Sequence, residues 1–591
     1  MMKKFHSLAI AVILLVCPVI FQLTMVDNQS FRWAHYRWYL FIAILLSVVL
    51  HRFRSSNKLL PNFTFLYVVT GYSIPVLFKY IKGNGLNGEF CWDEASFALG
   101  LLSIIYTLIL SVRQLGYQFT GVLAVVEFVF VLPYCANLAY AGMAHDLIDV
   151  NAFIALYQTN LKEVGEFLLS SAPMYLYVAL VITLCALYAF LYCTLNDVEA
   201  VPATDDVKKL LAIGLAFFGI CFFTNKTIGS AYFIRMKEES SEYLQAVQKY
   251  NAYRADSNGK LKIIEAKATS MDENETYLVV IGESQNRKHM SAYGYERKTT
   301  PWLDEMAKDE HFVLLDNAYA CHTLTMLALS QSLTEKSQYN KKPLEESYSL
   351  IDIAHSAGYK IYWISNQAQY GAYNTPVTAI VNFVDESIWL NSDSSASSAD
   401  DGSVLDALTR IPQGGKKIVF IHLFGNHWAY KHRYPADKFN YFTEQAYPVK
   451  VKSIQTVNEY DNSMLYNDYV MQQIYAYARD KWQVKNMFYF ADHGEAVKSG
   501  NSHIPGKYEL DMATIPAYIY FADQYIAENK DKFRRIVSRK EVPFTNDMVF
   551  HMLLDIWGIK TPYYKPQENC LDSAYEYKLE DLRCLDDKKV R

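Results

Sequence analysis

Residues 487–495 read MFYFADHGE, five apolar residues followed by Asp492, His493, Gly494 and Glu495. A short, aromatic-rich apolar run that breaks abruptly into charge is the pattern of a strand buried on both faces and opening on a site. The same punctuation occurs twice more. Tyr277–Ile281 runs into Gly282-Glu283-Ser284, and Lys417–Leu423 leads to Gly425-Asn426-His427. Lys360–Ile364 has the same β-rich character, and helical stretches separate these runs. An α/β domain with a largely parallel central sheet is therefore expected. In such sheets ligands bind beyond the carboxyl ends of the strands, so three polar clusters should meet at one edge. Any one alone reads as a capping Asp or a surface His; together they read as a metal-centred site.

Glu283, Asp492 and His493 would offer two carboxylates and one imidazole, with no thiolate. That set suits Zn²⁺ with one position left open, with Mn²⁺ or Mg²⁺ as weaker candidates. A glycine directly after the ligand pair, Gly494, lets the backbone turn sharply beneath an ion. The nucleophile is sought in Ala320–Met326 (ACHTLTM), just before a helix expected to run through Leu333. A hydroxyl at a helix N-terminus sits in the positive end of the dipole, which favours an alkoxide and an incoming phosphate. Thr323 or Thr325 could equally be a simple cap. Cys321 is the rival nucleophile. The run Asn391–Ser403 (NSDSSASSADDGS) reads as a Ser/Asp-rich surface loop.

Outward from this domain the composition changes. The first 225 residues carry 26 Asp, Glu, Lys and Arg side chains, against 91 in the remaining 366. The N-terminal region contains seven long apolar runs, 7–26, 37–52, 62–79, 97–112, 118–142, 174–195 and 208–224. Lys3, Lys4, Arg52, Arg54, Lys58, Arg113, Lys208 and Lys209 all fall on one side if the N-terminus is cytoplasmic; Lys79 and Lys82 fall on the other. An odd number of spans, seven or five, delivers the C-terminal domain to the outer face. The expected division is a transmembrane domain over 1–224, linker helices over 225–270 and a periplasmic catalytic domain over 271–591. Within the first, 143–173 reads either as an amphipathic interfacial segment or as an ordinary connecting loop. No intramembrane ion pair of the kind a transporter needs is visible, which argues against a pump or channel. A net charge of −5 argues against a nucleic-acid binder, and nine cysteines in 591 residues are too dilute for a disulfide scaffold.

The strings LVVIGESQNRKHMSAYGYERKTTPWL (278–303), CHTLTMLALSQSLT (321–334), GYKIYWISNQ (358–367), FIHLFGNHWAYKHRYP (420–435), YDNSMLYND (460–468) and YFADHGE (489–495) resemble bacterial phosphoethanolamine transferases. These belong to the alkaline-phosphatase/sulfatase superfamily, and the subgroup modifying the lipopolysaccharide core is the most similar. The resemblance implies a zinc site of Glu283, Thr325, Asp492 and His493, with Thr325 as the nucleophile that becomes phosphoethanolamine-modified. It implies that His427 and His503 contact the transferred phosphate, one of them as general acid, and that Glu495 lies near the ethanolamine. In the interfacial loop, Thr159 and Glu163 match residues implicated in lipid-donor binding.

There are departures from the family pattern. Gln331 stands where the colistin-resistance branch has a second Cys, leaving Cys321 without that local bridge, and Ala155 replaces an Asn. Cys570 and Cys584 could form their own disulfide in an oxidising periplasm. Five spans are usual, so seven would mean two additional helices. A sulfatase would need Pro and Arg after Cys321; His322-Thr323-Leu324-Thr325 supplies neither.

The implied function is a two-step transfer. Phosphatidylethanolamine donates its headgroup to Thr325, and a lipopolysaccharide acceptor then takes it, core heptose first, with lipid A or Kdo as alternatives. The protein would be a monomer, multi-pass in the bacterial inner membrane. Alternatives are a phosphoglycerol transferase or phosphodiesterase on the same fold, transfer to another envelope glycan or protein, or a catalytically silent scaffold.

Overall fold

The structure, a computed structural model, describes residues 59–83, 88–114, 119–150, 174–196, 231–254, 263–368, 376–391 and 400–590, apart from 446 and 448, with scattered positions before 44 and residue 152. Two compact units emerge, Met1–Leu156 with Ser171–Glu242, and Tyr157–Ser170 with Tyr243–Arg591.

The first unit is helical: α1 Leu59–Lys82, α2 Gly88–Gln114, α3 Thr120–Ala144, α4 Met174–Asn196 and the start of α5 Tyr232–Arg254, whose residues from Tyr243 on belong to the second unit. Leu60–Ile81, Thr120–Ala144 and Met174–Asn196 are long and apolar enough to cross a membrane, matching the expected runs 62–79, 118–142 and 174–195. The run 97–112 lies inside α2, whose first turns also carry Glu89, Asp93 and Glu94. The runs 7–26 and 37–52 are described only at scattered positions, and 208–224 lies outside the described residues. Apolar side chains of α4 point outward: Tyr175 and Ile182 are 68% and 62% exposed, a distribution that suits contact with lipid rather than water. Inside the bundle sits a polar node with no sign in the sequence. Asn62 Nδ2 donates to Glu127 Oε2 and to Thr194 Oγ1, each at 2.9 Å, and Tyr106 donates to Asn62 Oδ1. One residue from each of α1 to α4 thus meets around a fully buried carboxyl group, whose Oε1 has no partner.

In the second unit seven strands form one mixed sheet: β1 Thr276–Gly282, β2 Phe312–Leu314, β3 Lys360–Ala368, β4 Glu386–Asn391, β5 Lys417–His422, β6 Asn486–Ala491 and β7 Ala517–Phe521. Their order is β2-β7-β6-β1-β5-β3-β4. The pairs from β6 to β4 are all parallel, while β7 runs antiparallel to both β6 and β2. The largely parallel reading therefore describes the five strands from β6 to the edge strand β4. Every residue of β1, β5 and β6 is buried, which is why they read as unbroken apolar runs. Alternation still sorts them: Tyr277, Val279 and Ile281 enter the core on one face, and Leu278 and Val280 that on the other. Each such aliphatic side chain contributes about 1.5–3 kcal/mol by leaving water.

Register positions the site. Ile281 pairs with His422 and Gly282 with Ala491, so β1, β5 and β6 end at the same level. Backbone bonds extend this alignment one residue further, from Asp492 N to Gly282 O at 3.0 Å and from Leu423 N to Ile281 O at 3.0 Å. Glu283, Asp492 and the turn carrying His427 emerge side by side.

The bridge that Cys570 and Cys584 could have formed is absent: both thiols are free and buried. Cys570 packs in the core with its Sγ 3.7 Å from Met552 Sδ. Cys584 belongs to a two-stranded hairpin, Arg583–Cys584 with Lys588–Lys589, laid against the chain at Cys321 through a 2.9 Å bond from Leu585 N to Cys321 O.

Candidate metal centre and active site

Four side chains converge beyond the ends of β1 and β6. Thr325, the first residue of helix α6 (Thr325–Ser332), places its Oγ1 3.0 Å from Glu283 Oε2 and 3.5 Å from His493 Nε2. His493 Nε2 is 3.3 Å from Glu283 Oε1 and 3.5 Å from Asp492 Oδ2. One ligand atom from each of Glu283, Asp492 and His493 lies within 4.8 Å of the others, and all three residues are buried.

The local backbone explains this convergence. Asp492 Oδ1 is occupied by two N–H donors, Ser284 at 3.0 Å and His493 at 2.7 Å, leaving Oδ2 buried without a hydrogen bond. His493 Nδ1 donates to Gly494 O at 2.9 Å, which fixes the ring's orientation and aims Nε2 at the carboxylates. Ser284 Oγ (2.7 Å) and Gln367 Nε2 (3.2 Å) donate to the two oxygens of Glu283.

Two buried carboxylates at this distance cannot both stay charged without a cation. Burial and the Glu283 charge push Asp492 up to about 8. Burial alone would depress His493, but Asp492, Glu283 and the Gly494 carbonyl outweigh it and hold the ring at about 10. The cluster thus traps a proton where a divalent ion would do the same neutralising work. The orphaned Asp492 Oδ2, the fixed Nε2 and the Glu283 carboxylate form a hard-to-borderline donor set that fits such an ion.

The rival readings of the nucleophile segment separate. Neither threonine caps α6: its N-cap is Leu324, and Thr323 Oγ1 is buried without a partner. His322 Nδ1 instead accepts from Leu324 N at 3.1 Å, and burial drives that ring down to about 3, so it stays neutral. Cys321 is buried with its Sγ toward Ala328 O, and burial pushes its thiol well above the ordinary range. It cannot supply a thiolate here.

Two further histidines face the cluster. The His503 ring centroid lies 4.6 Å from that of His493 with the planes tilted by 51°, and its Nδ1 lies 2.8 Å from Glu495 Oε2. Burial would raise Glu495, but His503, Ser502 and Tyr430 outweigh it and keep it a carboxylate. Ser502 Oγ bonds Glu495 Oε1 at 2.6 Å and Tyr430 donates to the same atom. Burial lowers His427 to about 4, and its Nδ1 has no partner. Thr159 and Glu163 lie outside the described residues.

One positioning residue escaped the sequence reading. Asp401, at the end of the Ser/Asp-rich run, is buried rather than on the surface. Its Oδ1 accepts from Phe424 N and Asn366 Nδ2, each at 2.8 Å, and its Oδ2 accepts from Gly425 N at 2.7 Å. It clamps the turn that carries His427. At Gly425, with φ +51°, an added Cβ would lie 2.7 Å from Glu283 O, so only glycine lets this turn press against the metal ligand. Asp401 follows the run's charge pattern without a break, and only an Asp-Gly pair ahead of a helical stretch hinted at a cap.

Comparison with known proteins accords with this geometry. Residues 275–559 match the Sulfatase family model. Those residues form a Sulfatase-family domain, and the curated relatives it resembles are phosphoethanolamine transferases. The chain is 27% identical over 483 residues to phosphoethanolamine transferase EptC of Escherichia coli K12, covering 77% of this chain and 82% of that one. It is equally 27% identical to phosphoethanolamine transferase CptA of Salmonella typhimurium, with the same shares covered. Among solved structures, the integral membrane lipooligosaccharide phosphoethanolamine transferase A of Neisseria meningitidis superposes with a TM-score of 0.56 at 17% identity, over 86% of this chain and 97% of that one. The shared fold thus extends beyond the sulfatase domain into the helical unit.

Proposed function

We propose that the protein transfers phosphoethanolamine from phosphatidylethanolamine to a lipopolysaccharide acceptor, core heptose first, through a covalent intermediate on Thr325. The reading rests on one observation above all: a hydroxyl at a helix N-terminus directed into a buried Glu–Asp–His cluster with an unsatisfied carboxylate oxygen. Glu283, Asp492, His493 and Thr325 would hold Zn²⁺. When bound, the ion would lower the Thr325 hydroxyl pKa and neutralise charge developing on phosphate oxygens.

The chain's own residues do the rest. Glu283 Oε2, 3.0 Å from Thr325 Oγ1, orients the hydroxyl toward the phosphorus and receives its proton or hands it on. Thr325 Oγ1 bonds to phosphorus as the phosphorus–oxygen bond to diacylglycerol breaks. His503, backed by the Glu495 carboxylate at 2.8 Å, protonates the departing oxygen, and His427 contacts the phosphate. An acceptor hydroxyl or phosphate then displaces Thr325. Glu495 also offers a negative charge for the ethanolammonium, and Thr159 and Glu163 are assigned to donor binding.

The apolar helices would set the protein in the bacterial inner membrane as a monomer, with the catalytic unit in the periplasm beside its lipid donor. Mass spectrometry of lipopolysaccharide from cells with and without the gene tests the reading. A phosphoethanolamine increment present only with the gene supports it; identical spectra oppose it.

A further inference from the structure

Eight non-glycine residues among those described have φ in the left-handed region, and three of them are buried: Ser284 at +56°, Ala429 at +64° and Ser502 at +55°. All three lie in loops of the active site. Ser284 directly follows Glu283, Ala429 comes two residues after His427, and Ser502 directly precedes His503. Such a backbone favours glycine, so a side chain kept there marks strain that the surrounding contacts hold in place. The two serines share a second property. Ser284 Oγ donates to Glu283 Oε1 at 2.7 Å, and Ser502 Oγ donates to Glu495 Oε1 at 2.6 Å. In both, the hydroxyl that glycine would lack goes to a carboxylate of the site.

Ser284 is the more fully engaged of the two. Its N–H donates to Asp492 Oδ1 at 3.0 Å, its carbonyl accepts from Tyr460 Oη at 2.7 Å, and it is completely buried. Two of its polar groups therefore end on the carboxylates of the metal centre. The consequence for Glu283 is that its two oxygens face different partners. Oε1 carries the Ser284 bond and lies 3.3 Å from His493 Nε2. Oε2 lies 3.0 Å from Thr325 Oγ1 and accepts from Gln367 Nε2 at 3.2 Å. The terminal torsion of a glutamate is soft, so the plane of its carboxylate is set by the donors around it. The Ser284 hydroxyl is the shortest of these bonds, and it comes from the residue next in the chain.

We propose that Ser284 is a positioning residue: it occupies a strained left-handed backbone so that its hydroxyl holds the Glu283 carboxylate with Oε1 toward His493 and Oε2 toward Thr325. The inference rests on the proposed transferase reading and adds to it a residue that acts only through Glu283 and Asp492.

The test uses Ser284→Gly and Ser284→Ala in the full-length, detergent-solubilised protein. Both remove the hydroxyl, and only glycine also relieves the backbone, so the pair separates the two roles. The thermal midpoint of the metal-free protein reports the fold, and competition with a chelator reports Zn²⁺ affinity. Transfer kinetics at saturating Zn²⁺ give kcat and the acceptor KM. The metal-free midpoint of Ser284→Gly should lie above that of Ser284→Ala, yet both variants should bind Zn²⁺ about 10- to 100-fold more weakly than the parent, and to the same extent. Both should keep the parent's acceptor KM and lose about tenfold in kcat, because Oε2 no longer faces the Thr325 hydroxyl squarely. Parent-like Zn²⁺ affinity in Ser284→Gly, with or without a defect in Ser284→Ala, would overturn the proposal and leave Ser284 a turn residue. A parent that forms no phosphoethanolamine adduct from phosphatidylethanolamine would defeat the transferase reading instead, and the Zn²⁺ competition would still decide the role of Ser284.

Discussion

Asp401→Asn isolates the clamp on the His427 turn. In the parent, Oδ1 serves Asn366 and Phe424 N and Oδ2 serves Gly425 N, all between 2.7 and 2.8 Å in a buried setting. An asparagine with its carbonyl at the Oδ1 position keeps two of these bonds. Its amide nitrogen then faces the Gly425 N–H, donor against donor. The lost bond to a charged acceptor and the stranded N–H together cost about 2–4 kcal/mol. Part of that cost is met by the turn moving away, which displaces His427 and relaxes Gly425 from Glu283. Since a displacement of about 1 Å can cost about a hundredfold in rate, kcat/KM should fall about 10- to 100-fold. The assay pairs thermal unfolding of the detergent-solubilised protein with steady-state transfer and metal content. Metal content should stay near the parent's, because Asp401 touches no ligand side chain. A variant with parent-like stability and parent-like kcat/KM would refute the clamp.

Three further outcomes are expected. Chelation should lower the thermal midpoint by the equivalent of about 3–4 kcal/mol at metal concentrations 100 to 1,000 times the dissociation constant, and Zn²⁺ should restore it; Asp492→Ala should show no metal-dependent shift in calorimetry. In the membrane unit, Glu127→Gln should stay within about 1 kcal/mol of the parent because it keeps an acceptor for Asn62, whereas Glu127→Ala strands Asn62 and costs about 1–3 kcal/mol, read by thermal unfolding in detergent. Asp468, buried against Trp302 N and Leu303 N, is pushed up by burial to about 7. The folded chain therefore holds a proton that the unfolded chain releases near pH 4, so this group's contribution falls as pH rises from 4 to 7, by up to about 1.4 kcal/mol per unit. Asp468→Asn should remove that slope from the pH dependence of unfolding.

The legible parts of this molecule share a cause. Strands β1, β5 and β6 are covered on both faces, so their burial leaves an unbroken apolar run, and the change to glycine and polar or charged residues soon after Ile281, Leu423 and Ala491 marks the sheet edge. Glu283, Asp492 and His493 sit directly at those breaks. What stayed hidden depends on contacts between distant segments. Asp401 is buried by the turn at Phe424, and Gln367 reaches Glu283 only because β3 lies next to β5. Asn62, Tyr106, Glu127 and Thr194 come from four helices, and each alone is an ordinary polar residue in an apolar run. Strand β7 reverses direction against β6, which composition does not encode. The thiols of Cys570 and Cys584 share only a tail in sequence, and the fold buries them apart from one another's partners, Met552 for one and the Cys321 strand for the other.

The account turns on Thr325 as the residue that carries the transferred group. Incubating the full-length protein with phosphatidylethanolamine without acceptor, digesting it and sequencing the peptides by mass spectrometry tests this most directly. The expected result is a phosphoethanolamine increment on Thr325 that disappears when lipopolysaccharide is added and never forms in Thr325→Ala. Acceptor modification that continues in Thr325→Ala, or an increment on another residue, would contradict it.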